Sequence, residues 1–176
     1  MRKQQIGIIG WSADLNYTTL AKTFASEVGS LLAKNDYIVV FGAEKDVDSL
    51  PTIAAYSARK SNGVTIGITY ESGTKVFNEA AASSVIATGL VRGGGRETTL
   101  MLSCDAVIAI AGGSGTLNEI CVAYQANIPV ITIVGYGGWS EKLANTYLDD
   151  RKRYQFAAVT TPTQALQVLE KLLKKR

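Results

Sequence analysis

The residues best suited to chemistry lie in one run, Ala111-Gly112-Gly113-Ser114-Gly115-Thr116-Leu117-Asn118-Glu119. Glycines let a backbone approach an oxyanion closely and adopt positive φ. Free N–H groups at a helix start, added to the helix dipole, favour phosphate. Ser114 and Thr116 add hydroxyl donors. The same residue types also suit a plain strand-to-helix turn with Ser or Thr as N-cap. A second glycine turn, Gly93-Gly94-Gly95, precedes Arg96-Glu97. A guanidinium at a helix start opposes the dipole. Arg96 therefore either faces an anionic ligand bidentately or snorkels over the turn as a surface residue. Glu119 falls in the first turns of the helix that follows Gly115. It either points back over a pocket mouth or is a solvated, dipole-compensating glutamate.

The elements that must position these groups alternate along the chain. Gln5–Gly10, Tyr37–Phe41, Val64–Ile68, Ser84–Thr88, Asp105–Ile110 and Pro129–Val134 read as strands. Ala157–Val159 reads as a short edge strand. Continuous apolar runs such as Tyr37–Phe41 suit parallel strands covered on both faces. Helical periodicity spans Leu15–Lys34, Pro51–Lys60, Arg96–Ser103, Thr116–Gln125 and Pro162–Lys175. The last carries Ala165, Leu166, Leu169, Leu172 and Leu173 on one stripe. Strand–helix alternation implies a three-layer α/β, Rossmann-like sandwich with a mostly parallel sheet. No linker or fixed-period repeat interrupts residues 1–176, so a single domain is expected. In such sheets ligands sit at the carboxyl ends of the strands. That adds Gly10 and Ser12 after the first strand, and Gly94 in the second glycine turn, to the phosphate-binding candidates.

Composition excludes several chemistries. Histidine is absent, which removes His-based triads and His metal ligands. Cys104 and Cys121 are the only cysteines; both read as inert core thiols, and no zinc site can be built from them. No metal site is expected. Net charge is +3, part of it in Lys174-Lys175-Arg176. No basic face with interleaved aromatics emerges, so nucleic acid is not an expected partner. No leader pattern or span of about 20 apolar residues is visible, so neither export nor a membrane is expected. The thiols then favour the cytoplasm.

With Arg96, Asp105, the Gly112–Thr116 run and Glu119 in view, the chain resembles the LOG family. That family's signature is an arginine, nine positions on an aspartate opening a strand, then Pro-Gly-Gly-x-Gly-Thr-x-x-Glu. The sequence looks closest to a short branch that includes relatives similar to the molybdenum cofactor carrier protein. The resemblance implies a Rossmann-like fold and a homodimer or homotetramer. It implies that Gly112, Gly113, Ser114, Gly115 and Thr116 hold phosphate. Arg96 and Glu119 would serve catalysis in the hydrolase members, which release the base from a nucleoside 5′-monophosphate. A carboxylate suits that oxocarbenium-like transition state and can position water.

Three departures stand against simple transfer. The family's proline is Ala111, and the position after Arg96 is Glu97 where hydrolases carry lysine. The first glycine-rich loop is replaced by Gly42-Ala43-Glu44-Lys45-Asp46-Val47-Asp48-Ser49. Its acids would repel phosphate, and a solvated acidic loop is expected there rather than a cation site. Gly135-Tyr136-Gly137-Gly138-Trp139 offers rings to stack on a flat ligand, a lid or a dimer surface. Asp14 suits a helix N-cap, and Tyr124 suits core or interface. Three readings follow. In the first, the turn binds a phosphorylated small molecule, a nucleotide or a molybdopterin-type cofactor, and no cofactor is required. In the second, the chain is a phosphoribohydrolase. In the third, it is a structural or regulatory oligomer with a vestigial pocket, assembled through the leucine stripe and the surface near Tyr124.

Overall fold

A computed structural model describes residues 2–174. The strands are β1 (Gln5–Gly10), β2 (Ile38–Gly42), β3 (Thr65–Thr69), β4 (Ser84–Ala87), β5 (Ala106–Ile110), β6 (Val130–Ile133) and β7 (Ala157–Val159). The helices are α1 (Thr19–Lys34), α2 (Leu50–Lys60), α3 (Arg96–Leu102), α4 (Ser114–Gln125), α5 (Gly138–Lys142) and α6 (Pro162–Leu173). Single 3₁₀ turns occupy Ala13–Leu15 and Glu79–Ala81.

All seven strands run parallel in the order β4-β3-β2-β1-β5-β6-β7. The layering follows from strand alternation. Along β5, Ala106, Ile108 and Ile110 join one apolar cluster, with α1, α2 and α6. Val107 and Ala109 join the other, with α3 and α4. Both faces are therefore covered, giving the three-layer Rossmann-like sandwich expected from the sequence. The chain winds outward from β1 to β4, then returns to place β5 on the other side of β1. This reversal opens a crevice at the carboxyl ends of β1 and β5, where doubly wound sheets bind ligands.

Local chemistry moves some boundaries. Helix α1 starts at Thr19 rather than Leu15, because Thr18 accepts from Ala21 N and Asn16 takes a left-handed φ of 53°. Asp14 is thus not the cap; it lies in the 3₁₀ turn and accepts from Ser12 Oγ at 2.5 Å. The Gly135–Trp139 segment is not all loop, since α5 begins at Gly138. Thr161 and Gln164 form a reciprocal capping box at the start of α6. That helix ends at Leu173; Lys175, its expected end, and Arg176 lie outside the described residues. The stripe of α6 packs inward: Ala165 and Leu169 are buried, and Val168, Leu172 and Leu173 lie against the α1 side of the core. Leu166, Leu172 and Leu173 stay half-buried, so part of the stripe still reaches the surface.

Candidate functional site

The glycine turn between β5 and α4 is built from strained backbone. Ala111 has φ +57° and Gly112 φ +102°. Proline cannot adopt Ala111's conformation, because its ring fixes φ near −65°. The proline of the LOG signature could therefore not occupy this path. Helix α5 braces this path from behind. Ser140 Oγ accepts from Ala111 N at 3.0 Å and donates to Ile133 O at 2.6 Å. Ser140 N and Trp139 N donate to the carbonyls of Ala111 and Gly112, each at 2.9 Å. Gly138 permits this approach, since a Cβ there would lie 2.5 Å from the Ala111 carbonyl carbon.

Helix α4 then begins at Ser114, with Gly113 as N-cap and no capping side chain. Of the two sequence readings of this turn, the Ser/Thr-capped one is thus excluded. Thr116 Oγ1 instead donates to Gly10 O at 3.3 Å, tying the turn to the end of β1. The first N–H groups of α4 have no intrahelical partner. A Cβ on Gly115 would meet nothing within 4 Å, so the space before them is open.

A buried ionic cluster faces this helix start. Arg96, the first residue of α3, has a side chain only 5% exposed. Its Nη2 donates to Glu44 Oε1 at 3.1 Å, and its Nη1 lies 3.9 Å from Glu119 Oε1. Its Nε is buried without a hydrogen-bond partner. Arg92 donates to the other oxygen of Glu44 and, at 3.2 Å, to the Tyr70 hydroxyl. Both guanidinium groups lie over the Tyr70 ring, at 5.0 and 5.6 Å from its centroid. Gly42 is needed here, because a Cβ on it would collide with Arg96 Nη1. Glu97 is also buried, and both its oxygens accept from Gly93 N at 3.1 Å. Lysine in its place could not anchor that turn.

The acidic segment therefore departs from expectation. Glu44 is not solvated; it is buried and neutralises two arginines. Asp46 is exposed, and Asp48 accepts from Ser49 N at the start of α2. Among the described residues no group of three His, Cys, Asp or Glu side chains is placed to hold a metal ion.

Glu119 completes the cluster from α4. The residue is 8% exposed, and its carboxylate accepts no hydrogen bond among the described residues. Burial pushes its carboxyl up from 4.5 to about 7, against the pull of Arg96 and with help from Glu97 and Glu44.

These groups line one cleft of about 270 Å³. It brings together Gly10, Ser12, Gly113, Ser114, Gly115, Thr116, Arg96 and Glu119 from the sequence candidates. Gly112 and Gly94 are not among its lining residues. Gly112 is buried under Thr116, whose side chain a Cβ would strike; Gly94 is exposed, with Val91 beside it. Sequence reasoning missed Asp14, Leu15, Gly42, Glu44 and Arg92 as lining residues. The signal for Glu44 is an acid where the LOG signature has glycine, but pattern alone does not show the two arginines it meets.

Other candidates lie elsewhere. Asp105 sits at the start of β5, at the opposite edge of the sheet from the cleft, where it accepts from Gln5 N at 2.8 Å and pairs with Arg2. Its fixed spacing from Arg96 spans α3 and does not build the site. Tyr136 packs on Phe24 and Trp139 lies beneath Lys142, so neither ring lines the cleft. Tyr124 is buried in an aromatic cluster with Tyr154 and Phe156, so it belongs to the core. Burial pushes both thiols up, Cys104 beyond any reactive range. No helix among the described residues is long and apolar enough to cross a membrane.

A doubly wound parallel sheet, with a polar cleft at its switch point, defines a Rossmann-like α/β protein. The model of the SLOG cluster4 family matches residues 3–166, and the chain belongs to that family. A solved structure of TM1055 is similar over 96% of this chain and 99% of that one, with 26% identity and a TM-score of 0.85. The molybdenum cofactor binding protein from Rippkaea orientalis is 27% identical, covering 98% and 99% with a TM-score of 0.81. The molybdenum cofactor carrier protein from Chlamydomonas reinhardtii is 25% identical over the same shares, also at 0.81. An uncharacterized protein of Archaeoglobus fulgidus is 28% identical over 125 residues, 71% of this chain and 76% of that protein.

Proposed function

We propose that the chain binds a phosphorylated small molecule of the molybdopterin or nucleotide type, as a carrier rather than a catalyst. One observation carries this reading: a single cleft joins the uncapped start of α4 to the Arg96–Glu119 pair. In this reading the N–H groups of Ser114, Gly115 and Thr116 hold phosphate, as helix starts do. The names of similar solved structures, a molybdenum cofactor binding protein and carrier protein, support the choice of ligand class. The donor set fits such a cargo. Phosphate finds N–H donors at one end, and ring N–H groups find carboxylates at the other. The LOG-like signature around Arg96 and Glu119 supports the same placement.

The test is equilibrium dialysis against molybdenum cofactor released from a molybdoenzyme, read by protein-bound molybdenum and by pterin fluorescence after oxidation. Both are expected to be retained by the wild-type chain and lost by Ser114→Asp. An acid at that position favours the helix dipole, so the variant stays folded while repelling phosphate. Retention of cofactor by Ser114→Asp, or none by the wild type, refutes the reading.

The Glu119 carboxyl, pushed up to about 7, favours one second reading. A group titrating near neutrality suits general acid–base work. In a phosphoribohydrolase, Glu119 would take a proton from water as it attacks the ribose C1′. The N-glycosidic bond would break, its electron pair going to the base nitrogen, which takes up the proton that water lost, and base and ribose 5-phosphate would leave. Chromatography of AMP digests decides it: free adenine is expected from the wild type and not from Glu119→Gln. We also place the chain in the cytoplasm, as one domain. We infer a homo-oligomer, for which exposed Leu20, Val91 and Leu102 supply apolar surface. Sedimentation checks that assembly.

A further inference from the structure

The cleft is electrically lopsided. Asp14, Glu44, Glu97 and Glu119 line it, against Arg92 and Arg96. Most of these charges are already engaged. Glu44 holds both arginines, Glu97 holds Gly93 N, and Asp14 holds Ser12 Oγ. Glu119 alone of the four carboxylates accepts no hydrogen bond among the described residues, although the residue is 8% exposed and lines the cleft. Its contact with Arg96, at 3.9 Å, is an ion pair too long for a hydrogen bond. A carboxylate that lines the cleft and accepts no hydrogen bond from the protein can take N–H donors from what enters it.

The ligand's two ends follow from the helix. The open N–H groups start at Ser114, and Glu119 stands five residues on, about 7.5 Å of helical rise. A side chain on a helix leans back toward the N-terminus, so Glu119 overlooks the same space from one side. Glu44 engages Arg92 and the Nη2 of Arg96, so the positive charge on this side of the cleft is already paired with a carboxylate. The complement of this cleft is a monoester phosphate at one end and a pair of adjacent N–H donors at the other.

We infer that Glu119 is a specificity residue whose carboxylate reads the N–H and amino edge of a 2-amino-4-oxopyrimidine ring, as found in pterins and guanine, on a phosphomonoester. This rests on the proposed ligand-binding function and narrows its ligand class. Such an edge presents two parallel donors, which match two carboxylate oxygens in one plane. Adenine presents one amino group beside a ring acceptor, so one carboxylate oxygen would face a lone pair.

Calorimetric titration of the full chain with neopterin monophosphate, GMP, IMP and ribose 5-phosphate tests the inference. It is run at pH 8, where the Glu119 carboxyl is ionised. IMP lacks only the 2-amino group. GMP or neopterin monophosphate is expected to bind at least tenfold tighter than IMP, and the tighter of the two assigns guanine or pterin. Glu119→Gln, which replaces one acceptor by a donor, is expected to bring the tighter ligand to the level of IMP. It leaves ribose 5-phosphate unchanged. Equal affinity for all three ring-bearing ligands overturns the inference while the phosphate seat stands. Weakening of ribose 5-phosphate in step with GMP also overturns it, by assigning Glu119 to the sugar diol. If none of the four ligands binds, the proposed function itself falls.

Discussion

Replacing Glu119 by Gln is expected to make the protein more stable at pH 8 and to leave it nearly unchanged at pH 4. The Glu119 carboxyl titrates near 7 in the folded chain, against 4.5 for an ordinary glutamate. Its folded form therefore holds a proton more tightly than its unfolded form. The stability this gives is fully present below about pH 4.5 and is lost as pH rises through 7. At about 1.36 kcal/mol for each pH unit between those values, ionised Glu119 costs the fold about 3 kcal/mol at pH 8. Burial sets the sign, and Arg96 offsets only part of it. Gln keeps the shape without the charge. At roughly 2–4 °C per kcal/mol for a domain of this size, Glu119→Gln should melt up to about 6–12 °C above wild type at pH 8. The measurement is the melting difference between the two proteins across pH 4 to 8. Other carboxylates titrate in both and cancel. A variant that melts lower at pH 8, or a difference that does not change with pH, would show that Glu119 is a structural partner of Arg96. It would refute its being a group held ready for something else.

Further substitutions separate the site from its scaffold. Gly42→Ala should displace the Arg96 guanidinium, which its Cβ would strike, and weaken ligand binding at least tenfold in calorimetry. Breaking a buried ion pair costs about 3–5 kcal/mol, so its melting point should fall as well. Ala111→Pro should cost about 3 kcal/mol or more, because φ is +57° there and the N–H given to Ser140 Oγ is lost. Denaturant titration checks this, and wild-type stability would show that the turn takes another path. Asp105→Ala should cost about 1–3 kcal/mol by leaving Gln5 N without its acceptor. Ligand affinity should stay at the wild-type level, since Asp105 lies at the far edge of the sheet.

The cleft's working parts differ in how they could be seen. The strand–helix alternation was plain because β5 and β1 are apolar on both faces, which only a covered parallel sheet permits. The Gly113–Thr116 turn was legible because its glycines sit between a buried strand and a helix. Boundaries were less so. Thr18 rather than Asp14 caps α1 because Asn16 turns left-handed first, a choice between neighbours that local pattern leaves open. The expected aromatic stack failed because Tyr136 and Trp139 find partners in Phe24 and Lys142.

The sequence by itself determined that this is a Rossmann-like α/β chain carrying a glycine turn, an arginine and a glutamate in the segments around β5. Period and residue type are local properties, and those features need nothing more. Only the tertiary structure decided what the charges do. Arg96, Glu44 and Glu119 stand on α3, on the segment after β2 and on α4, and the crossover from β4 to β5 brings them together. Once they share a buried cleft, Coulomb attraction settles Glu44 on two arginines, and desolvation raises the carboxyl of Glu119 despite its ion pair with Arg96. Spacing along a chain does not record such distances.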